Sequence, residues 1–389
     1  MVDQVYLDWN ATAPLRPEAR LASHAAADIV GNPSSVHAQG RAARKLVERA
    51  RAQVASLVGA QPRDVIFTSG GTEANMLALT PALQAGSDKA HCDRLLVSAI
   101  EHPSVRSGGR FAQDRVEELA VDCHGRLDLA ALEIRLARLS EAGERPLVSV
   151  MLANNETGVI QPVAEAASLV HKAGGKLHVD AVQGPGRVFC DFNALGADLL
   201  TISAHKLGGP KGVGALIKRG DLHIEPQIKG GGQERGERAG TENVAGIAGF
   251  GAAAEAANGA LAAESKHMLT MRNLLEAGIR GIHSKAIVFG AEVIRLPNTT
   301  LFAAPGMKAE TAVIAFDLEG VAVSSGAACS SGKVAPSHVL AAMGVAPELA
   351  RGAVRVSLGH LTTEQEVTAF LAAWARVAEA LYKKQGIAA

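Results

Sequence analysis

Short apolar runs alternate with amphipathic stretches along most of the chain. The apolar runs are bounded by Gly, Pro, Asn or Asp, as buried strands usually are; they read DVIFTS, RLLVSAI, PLVSVML, KLHVDAV, DLLTISA and GVGALIK. An early amphipathic stretch has Leu46, Ala50, Val54 and Val58 at helical spacing and ends at Gly59. The repeat of strand then helix predicts an α/β fold with a mainly parallel sheet covered by helices on both faces.

The pattern changes beyond about residue 260. A long helix containing Met and Leu precedes shorter strands, KAIVFG, NTTLFAA and AVRVSLG, which are separated by turns. A long helix followed by short strands and turns predicts a smaller α+β domain. We therefore expect a large domain over residues 15–260 and a small domain formed by residues 1–14 and 261–389.

Composition and charge narrow the possible partners. The chain has 389 residues, of which 48% are hydrophobic and 20% charged, so it is long enough for two globular domains. Lys plus Arg and Asp plus Glu both total 39, and a net charge of zero provides no basic field for nucleic acid. The N-terminus lacks the apolar run of a signal peptide, and the most apolar stretch is too rich in Ala and Gly to span a membrane.

The cysteines are scattered and form no C-x-x-C pair. They are Cys92, Cys123, Cys190 and Cys329. This usage predicts free thiols in a reducing compartment, the cytoplasm, and we assign no metal ligands. Cys329 differs from the others because it lies in VSSGAACSSG, where small neighbours cannot bury a thiol in a core. That segment is either a loop that happens to contain a cysteine or a site of chemistry.

Three further features each permit a catalytic and an ordinary interpretation. Gly71 and Thr72 lie in TSGGTEAN, between a strand and a helix, which suits a phosphate or a plain helix cap. Asp180 ends a strand in HVDAVQ and either meets a ligand there or caps a turn. Lys206, in SAHK, is either a Schiff-base lysine or a solvated one. A phosphate cradle, an acid and a lysine at strand ends are together the parts of a pyridoxal phosphate site.

Motifs along nearly the whole chain resemble those of the cysteine desulfurases of the NifS/IscS type. They are YLDWNATAP, GNPSSVHAQGR, FTSGGTEAN, EHPSV, MLANNETGVIQP, HVDAVQ, SAHKLGGPKGVGAL, GGGQERGERAGTEN, SSGAACSSG, PSHVL and RVSLG. The resemblance implies the fold of fold-type I pyridoxal phosphate transferases, with a mainly parallel seven-stranded sheet in the large domain and the acceptor cysteine in the small one. It also implies a homodimer.

The resemblance assigns roles around the cofactor ring. Lys206 matches the lysine that holds the cofactor aldehyde and then moves protons. Asp180 and Gln183 match the partners of the pyridine nitrogen and the ring hydroxyl. His102 matches the histidine that stacks on the ring and assists proton transfer, and Asn155 matches the asparagine that faces the ring hydroxyl and the substrate.

The remaining assignments concern the phosphate, the substrate and the sulfur. Thr72, Ser203 and His205 match phosphate ligands, beside the backbone of Gly71. Thr241 matches a phosphate ligand supplied by the second subunit, and Arg355 matches the clamp on the substrate carboxylate. Cys329 matches the cysteine that takes the sulfur of L-cysteine as a persulfide, leaving L-alanine, and passes it to an acceptor protein for iron–sulfur cluster assembly or thiolation. The other three cysteines match no function of the family.

Departures from the family pattern leave alternatives open. Trp9 and Ala13 replace residues common near the start of the family, which bears on fine substrate or subunit contacts, and Ala327 stands where serine is common. The R-x-G-H-H-C segment typical of selenocysteine lyases is absent. A related class V aminotransferase would not need Cys329, and a catalytically silent scaffold would not need Lys206.

Overall fold

The structure, a computed structural model, describes residues 4–85, 91–325 and 337–385. In chain order its strands are β1 Val5–Tyr6, β2 Val65–Thr68, β3 Leu83–Ala85, β4 Arg94–Ser98, β5 Val116–Leu119, β6 Pro146–Ser149, β7 Lys176–Asp180, β8 Leu199–Ser203, β9 Gly214–Lys218, β10 Leu222–Ile224, β11 Ile287–Val288, β12 Thr299–Ala303, β13 Val321–Ala322, β14 Ser324–Ser325 and β15 Val354–Ser357. Its α-helices are α1 Pro17–Ala27, α2 Ala38–Leu57, α3 Gly71–Ala78, α4 Pro103–Arg106, α5 Leu129–Glu141, α6 Val163–Lys172, α7 Val244–Ile282, α8 Ala309–Leu318, α9 His338–Ala342, α10 Pro347–Ala350 and α11 Glu364–Gln385.

Seven strands form the central sheet in the order β2-β9-β8-β7-β6-β4-β5. Strand β9 is antiparallel to both of its neighbours, and the other pairs are parallel. The six apolar runs predicted as strands all belong to this sheet. The α/β class and the mainly parallel seven-stranded sheet are therefore confirmed.

Apolar clusters cover both faces of the sheet, as the continuous apolar runs predict for buried parallel strands. One cluster packs α2, α6 and the first half of α7 against the strands, and another places α3 on the opposite face. Strand β5, at the edge of the sheet opposite β2, was not predicted from the sequence. It carries Glu117 and Glu118, so its pattern is not that of a buried strand. Because β4, β6, β7 and β8 are parallel, their carboxyl ends all meet at one edge of the sheet.

The long helix α7 joins two cores. It is one continuous helix of 39 residues, whereas the sequence pattern suggested a change near residue 260. Its first half contributes Phe250 and Ala254 to the core of the central sheet, and its second half contributes Leu275 and Ile279 to another core. The boundary at residue 260 stays a prediction.

The second core belongs to a four-stranded antiparallel sheet with the order β11-β12-β15-β14. Helices α8 and α11 pack on it, and β1 from the start of the chain pairs with β13. The N-terminal segment then crosses to the central sheet, where the backbone N–H of Ala13 donates to the carbonyl of His205. Residues 5–13 therefore line the junction between the two sheets. Within the described residues, no helix is long and apolar enough to cross a membrane.

Candidate active site

A cavity of about 450 Å³ opens at the carboxyl ends of the parallel strands, where α/β proteins bind ligands. It is also bounded by the N-terminal segment and by β14 and β15 of the smaller sheet. Ten residues assigned to the site from the sequence line this cavity: Gly71, Thr72, His102, Asn155, Asp180, Gln183, Ser203, His205, Lys206 and Arg355. They come from segments separated by up to 284 positions, and the fold brings them to one place.

Lys206 lies in the turn that follows β8. Its Nζ donates hydrogen bonds to the backbone carbonyls of Asn10, at 2.5 Å, and Ala11, at 2.9 Å. Burial, together with the nearby guanidinium groups of Arg355 and Arg187, lowers the pKa of Lys206 to about 7. A large share of this amine is therefore neutral near pH 7, which is the form that attacks an aldehyde.

The lowered pKa predicts how the cofactor-free protein captures aldehydes. The rate of Schiff-base formation at Lys206 should rise as the pH passes 7 and level off above it, because the neutral amine is then fully formed. An ordinary lysine, with a pKa near 10.4, would keep gaining reactivity to much higher pH. Borohydride trapping of a small aldehyde across a pH series, followed by peptide mapping, measures this profile for Lys206 and for exposed Lys172 in one sample. A Lys206 midpoint above pH 9 would contradict the prediction.

Asp180 is the last residue of β7 and is buried at the cavity wall. Its Oδ1 accepts from the backbone N–H of Val182 at 3.0 Å, and its Oδ2 accepts from Nδ2 of Asn75 at 2.8 Å. Gln183 lies three residues on, and its Nε2 donates to the carbonyl of Asn10 at 3.1 Å. The acid is thus oriented from two sides, with Gln183 on the same wall.

The first turn of α3 faces the cavity and an adjoining one of about 460 Å³. Free backbone N–H groups at a helix N-terminus attract anions. A side chain at Gly214 would put its Cβ 2.7 Å from the backbone of Gly70, so only glycine in β9 lets this turn approach the sheet. The hydroxyl of Ser203 is buried here and has no hydrogen-bond partner among the described residues.

His205 extends the same wall. Its Nδ1 lies 3.2 Å from Oγ1 of Thr12. Burial lowers the pKa of His205 to about 4, and the cations of Lys206 and Lys211 act in the same direction. Lys211 lines the adjoining cavity beside Thr72, and its ammonium group gives this wall a positive charge that suits a phosphate.

These features fit pyridoxal phosphate. The unpaired Ser203 hydroxyl, the helix N-terminus and the cationic surroundings suit its phosphate, and Lys206 suits its aldehyde. Asp180 offers the carboxylate that a pyridine nitrogen needs to stay protonated. The residues present therefore match the chemical groups of the cofactor.

Arg355 lies in β15 and closes the cavity from the smaller sheet. Its Nη2 donates to Oδ1 of Asp8 at 2.7 Å, and its Nη1 donates to the carbonyl of Asn155 at 3.0 Å. Its Nε is buried without a partner among the described residues, so the guanidinium keeps a donor for a ligand. Asp8 holds the guanidinium from a position 347 residues away, and no local pattern in the sequence indicated this pairing.

Arg187 is a buried residue of the site that sequence reasoning missed. Its Nη1 donates to the backbone carbonyl and to Oε1 of Gln183, at 2.9 and 2.8 Å. Its Nη2 donates to the carbonyls of Trp9 and Lys206. Burial lowers the pKa of Arg187 to about 9. Arg187 thereby connects the N-terminal segment to the turn that contains Lys206. The sequence around it, GPGRVF, gives no indication of this role.

Cys329 lies outside the described residues, as do Ala327 and the rest of segment 326–336. The residues on either side of this segment are described. Ser324 lines the cavity and pairs with Arg355 across β14 and β15. Ser337 is buried, and its Oγ donates to Oε2 of Glu156 at 2.6 Å, next to Asn155. Both ends of the segment are therefore attached close to the cavity.

Three other predicted features lie away from the cavity. Thr241 is exposed and does not line it, so a role for Thr241 at the phosphate would need a second subunit. Trp9 is buried, and its ring packs on Gly359, where a Cβ would come within 2.0 Å of it. Ala13, the other departure from the family, is buried near the Lys206 turn.

Comparison with known proteins agrees with this arrangement. The family model described as Aminotransferase class-V matches residues 5–370. The chain therefore belongs to the class-V aminotransferase family.

Its relatives within that family carry the name cysteine desulfurase. A cysteine desulfurase of Cereibacter sphaeroides is 43% identical over 95% of this chain and 94% of its own length. The cysteine desulfurase IscS of Dictyoglomus turgidum is 40% identical over 98% and 96%. The X-ray structure of a NifS-like protein from Rickettsia africae superposes with a TM-score of 0.87 at 37% identity, covering 97% of this chain and 99% of that one. The family resemblance predicted from the motifs is confirmed, and members of this family depend on pyridoxal phosphate.

Proposed function

We propose that the protein is an L-cysteine desulfurase that uses pyridoxal phosphate. The observation that carries the proposal is the cavity itself, where a lysine with a pKa of about 7, a strand-end carboxylate and a partly unpaired arginine meet. The names of the relatives support the choice of L-cysteine as substrate. The net reaction moves one sulfur atom from L-cysteine to a protein thiol and releases L-alanine.

Three groups of residues that line the cavity would hold the cofactor, at its pyridine nitrogen, its ring hydroxyl and its phosphate. Asp180 would bind the pyridine nitrogen, with Gln183 and Asn155 near the ring hydroxyl. The phosphate would bind at the first turn of α3, with contacts from the side chains and backbone of Gly71, Thr72, Ser203 and His205. When bound, the cofactor supplies an electron sink for the carbanion formed when the substrate Cα loses its proton.

The chain's own residues perform the other tasks. Arg355 binds the substrate carboxylate through a guanidinium that Asp8 already orients. Lys206, as a neutral amine, accepts the proton from Cα and later returns one. Cys329, as a thiolate, attacks the substrate sulfur, so that a sulfur–sulfur bond forms as the carbon–sulfur bond breaks and the electron pair left on carbon takes up a proton. Oxidation and reduction balance, because cysteine becomes alanine while the enzyme thiol becomes a persulfide.

We further propose a homodimer in the cytoplasm. Exposed Thr241 would then reach the phosphate site of the partner subunit. The cysteines among the described residues, Cys92, Cys123 and Cys190, are free, as is usual in a reducing compartment. The persulfide would pass its sulfur to an acceptor protein for iron–sulfur cluster assembly or thiolation, with no direct contact to nucleic acid or membrane.

The test is to incubate the purified, cofactor-loaded protein with L-cysteine in the absence of reductant. Alanine is quantified, and the added sulfur atom is located by mass spectrometry of peptides. We expect alanine and a persulfide on Cys329 in equal amounts during the first turnover. Release of an oxo acid without alanine would favour an aminotransferase, and a strong preference for selenocysteine would favour a selenocysteine lyase. No product from any of these amino acids would indicate a scaffold.

A further inference from the structure

A chain of buried hydrogen bonds connects Asp180 to His102 along one wall of the cavity. Oδ2 of Asp180 accepts from Nδ2 of Asn75 at 2.8 Å, and the same nitrogen donates to Oγ of Ser104 at 2.9 Å. Oγ of Ser104 lies 2.8 Å from Nδ1 of His102. Asn75 and Ser104 are both buried. The chain thus joins the side chain assigned to the pyridine nitrogen to the one assigned to stack on the ring.

The chemistry of its members gives this chain a direction. The carboxylate of Asp180 accepts hydrogen bonds, so the Asn75 atom that faces it must be the amide nitrogen. That nitrogen has two protons, and the second one points to Ser104. The hydroxyl of Ser104 therefore accepts from Asn75, and its single proton remains for His102.

The backbone adds a second donor at the same ring nitrogen. His102 is the N-cap of helix α4, and its Nδ1 accepts from the backbone N–H of Ser104 at 3.2 Å. A nitrogen that accepts from two donors must keep its lone pair and cannot carry a proton. In a neutral imidazole the proton is then on Nε2.

We propose that Asn75 and Ser104 are positioning residues that hold His102 as the neutral tautomer with its proton on Nε2. The ring, which lines the cavity, then enters the reaction as a hydrogen-bond donor. Proton acceptance falls to Lys206, whose amine is the neutral base of the site. The group to which Nε2 of His102 donates during the reaction depends on the proposed function. The tautomer of the ring does not depend on it.

Burial also favours a neutral His102 ring. Burial lowers the pKa of His102, and this effect outweighs the opposing negative charge of Asp180. A ring that stays neutral over the working pH range is needed if one tautomer is to dominate. The electrostatics are therefore consistent with the hydrogen-bond geometry.

Nuclear magnetic resonance of the cofactor-loaded protein with ¹⁵N-labelled histidine tests the proposal. Two-bond proton–nitrogen spectra distinguish both neutral tautomers from the imidazolium, and the signals that disappear in His102→Gln assign the ring. We expect an unprotonated Nδ1 and a protonated Nε2 at neutral pH. A protonated Nδ1, alone or in an imidazolium, would overturn the proposal, even in a protein that converts cysteine to alanine at full rate.

Variants then test the positioning residues. Ser104→Ala removes one of two donors to Nδ1 and should raise the proton affinity of the ring about five-fold, the equivalent of one typical hydrogen bond. Asn75→Ala should give a smaller rise, because it frees the Ser104 hydroxyl to turn. Ser104→Thr keeps the hydroxyl and should titrate like the wild type.

The matched control is Ser107→Ala. Ser107 lies beside the same short helix, but its hydroxyl donates to the carbonyl of Ser104 and not to the ring. We expect its titration midpoint for His102 to equal that of the wild type. A Ser104→Ala midpoint equal to that of Ser107→Ala would show that the chain does not hold the ring, and alanine production measured in the same samples reports separately on the proposed function.

Discussion

Replacing Lys206 with alanine is expected to slow alanine formation from L-cysteine by roughly a hundred-fold to ten-thousand-fold, the range lost with a positioned acid–base group. Under the proposed function, the variant loses both the amine that would hold the cofactor aldehyde and the base that would accept the Cα proton. It should also fail to retain the cofactor covalently after borohydride reduction. Steady-state alanine production and the absorbance of the reduced, denatured protein measure the two losses.

The same substitution should leave the fold intact. Among the described residues, Lys206 donates to the carbonyls of Asn10 and Ala11 alone. Because its pKa falls from 10.5 to about 7 on folding, the unfolded chain holds this proton more tightly, so Lys206 opposes folding as the pH drops through that window and most strongly below pH 7. We therefore expect the cofactor-free variant to unfold at the same or a higher temperature than the wild type at pH 7.

Lys172→Ala is the control for this experiment, since Lys172 is exposed at the end of α6, on a surface away from the cavity. It should keep wild-type activity and cofactor content. If Lys206→Ala retained more than a tenth of the activity, another residue would have to supply the base. The assignment of Lys206 would then be wrong, although the fold and the family would stand.

Much of the fold could be predicted because its signals are local. Buried parallel strands must be apolar on both faces, and the runs that end at Ser149, Asp180 and Ser203 show this plainly. Edge strand β5 escaped prediction because it carries adjacent glutamates, of which Glu117 is half-buried and Glu118 is exposed. Helix α7 appeared as two segments because its burial changes from one core to the other halfway along, while its backbone continues.

The residues proposed to act on the cofactor or the substrate could be predicted from the sequence where they occur at strand ends within distinctive motifs. Asp180 and Lys206 are examples. The residues that orient them were not. Asp8 pairs with Arg355 across 347 positions, and Arg187 binds carbonyl groups whose identity depends only on the folded backbone. Asn75 lies inside one of the family motifs, but its amide can bind Asp180 only after folding has brought α3 next to the end of β7. Such contacts are properties of tertiary packing, and no periodicity encodes them.

Replacing Cys329 with alanine is expected to abolish the persulfide and to lower alanine formation on the order of a hundred-fold, because removing a nucleophile removes a path worth several kcal/mol. The cofactor should still bind and its spectrum should still respond to L-cysteine, since the residues that line the cavity are unchanged. Mass spectrometry of peptides after one turnover, together with alanine assays, measures the effect. This combination separates loss of sulfur acceptance from loss of substrate binding.

The other cysteines provide internal controls. Burial raises the pKa values of Cys92 and Cys190 to about 12, so neither thiol forms a thiolate at neutral pH. Cys123 is exposed but belongs to a turn away from the cavity. Cys123→Ala should therefore retain wild-type alanine formation, whereas alkylation should still label Cys123 in the Cys329→Ala variant.

The flanks of segment 326–336 explain why its cysteine is the expected acceptor. Ser324 leaves the smaller sheet at the cavity wall, opposite Arg355, and Ser337 returns at Glu156. Residues 326–336 join these two fixed points, so under the proposed function Cys329 would have a high effective concentration near a substrate whose carboxylate binds Arg355. If Cys329→Ala formed a persulfide on Cys123 at the wild-type rate, this proximity would play no part in choosing the acceptor. Cys123 would then be the thiolate that attacks the substrate sulfur in that variant.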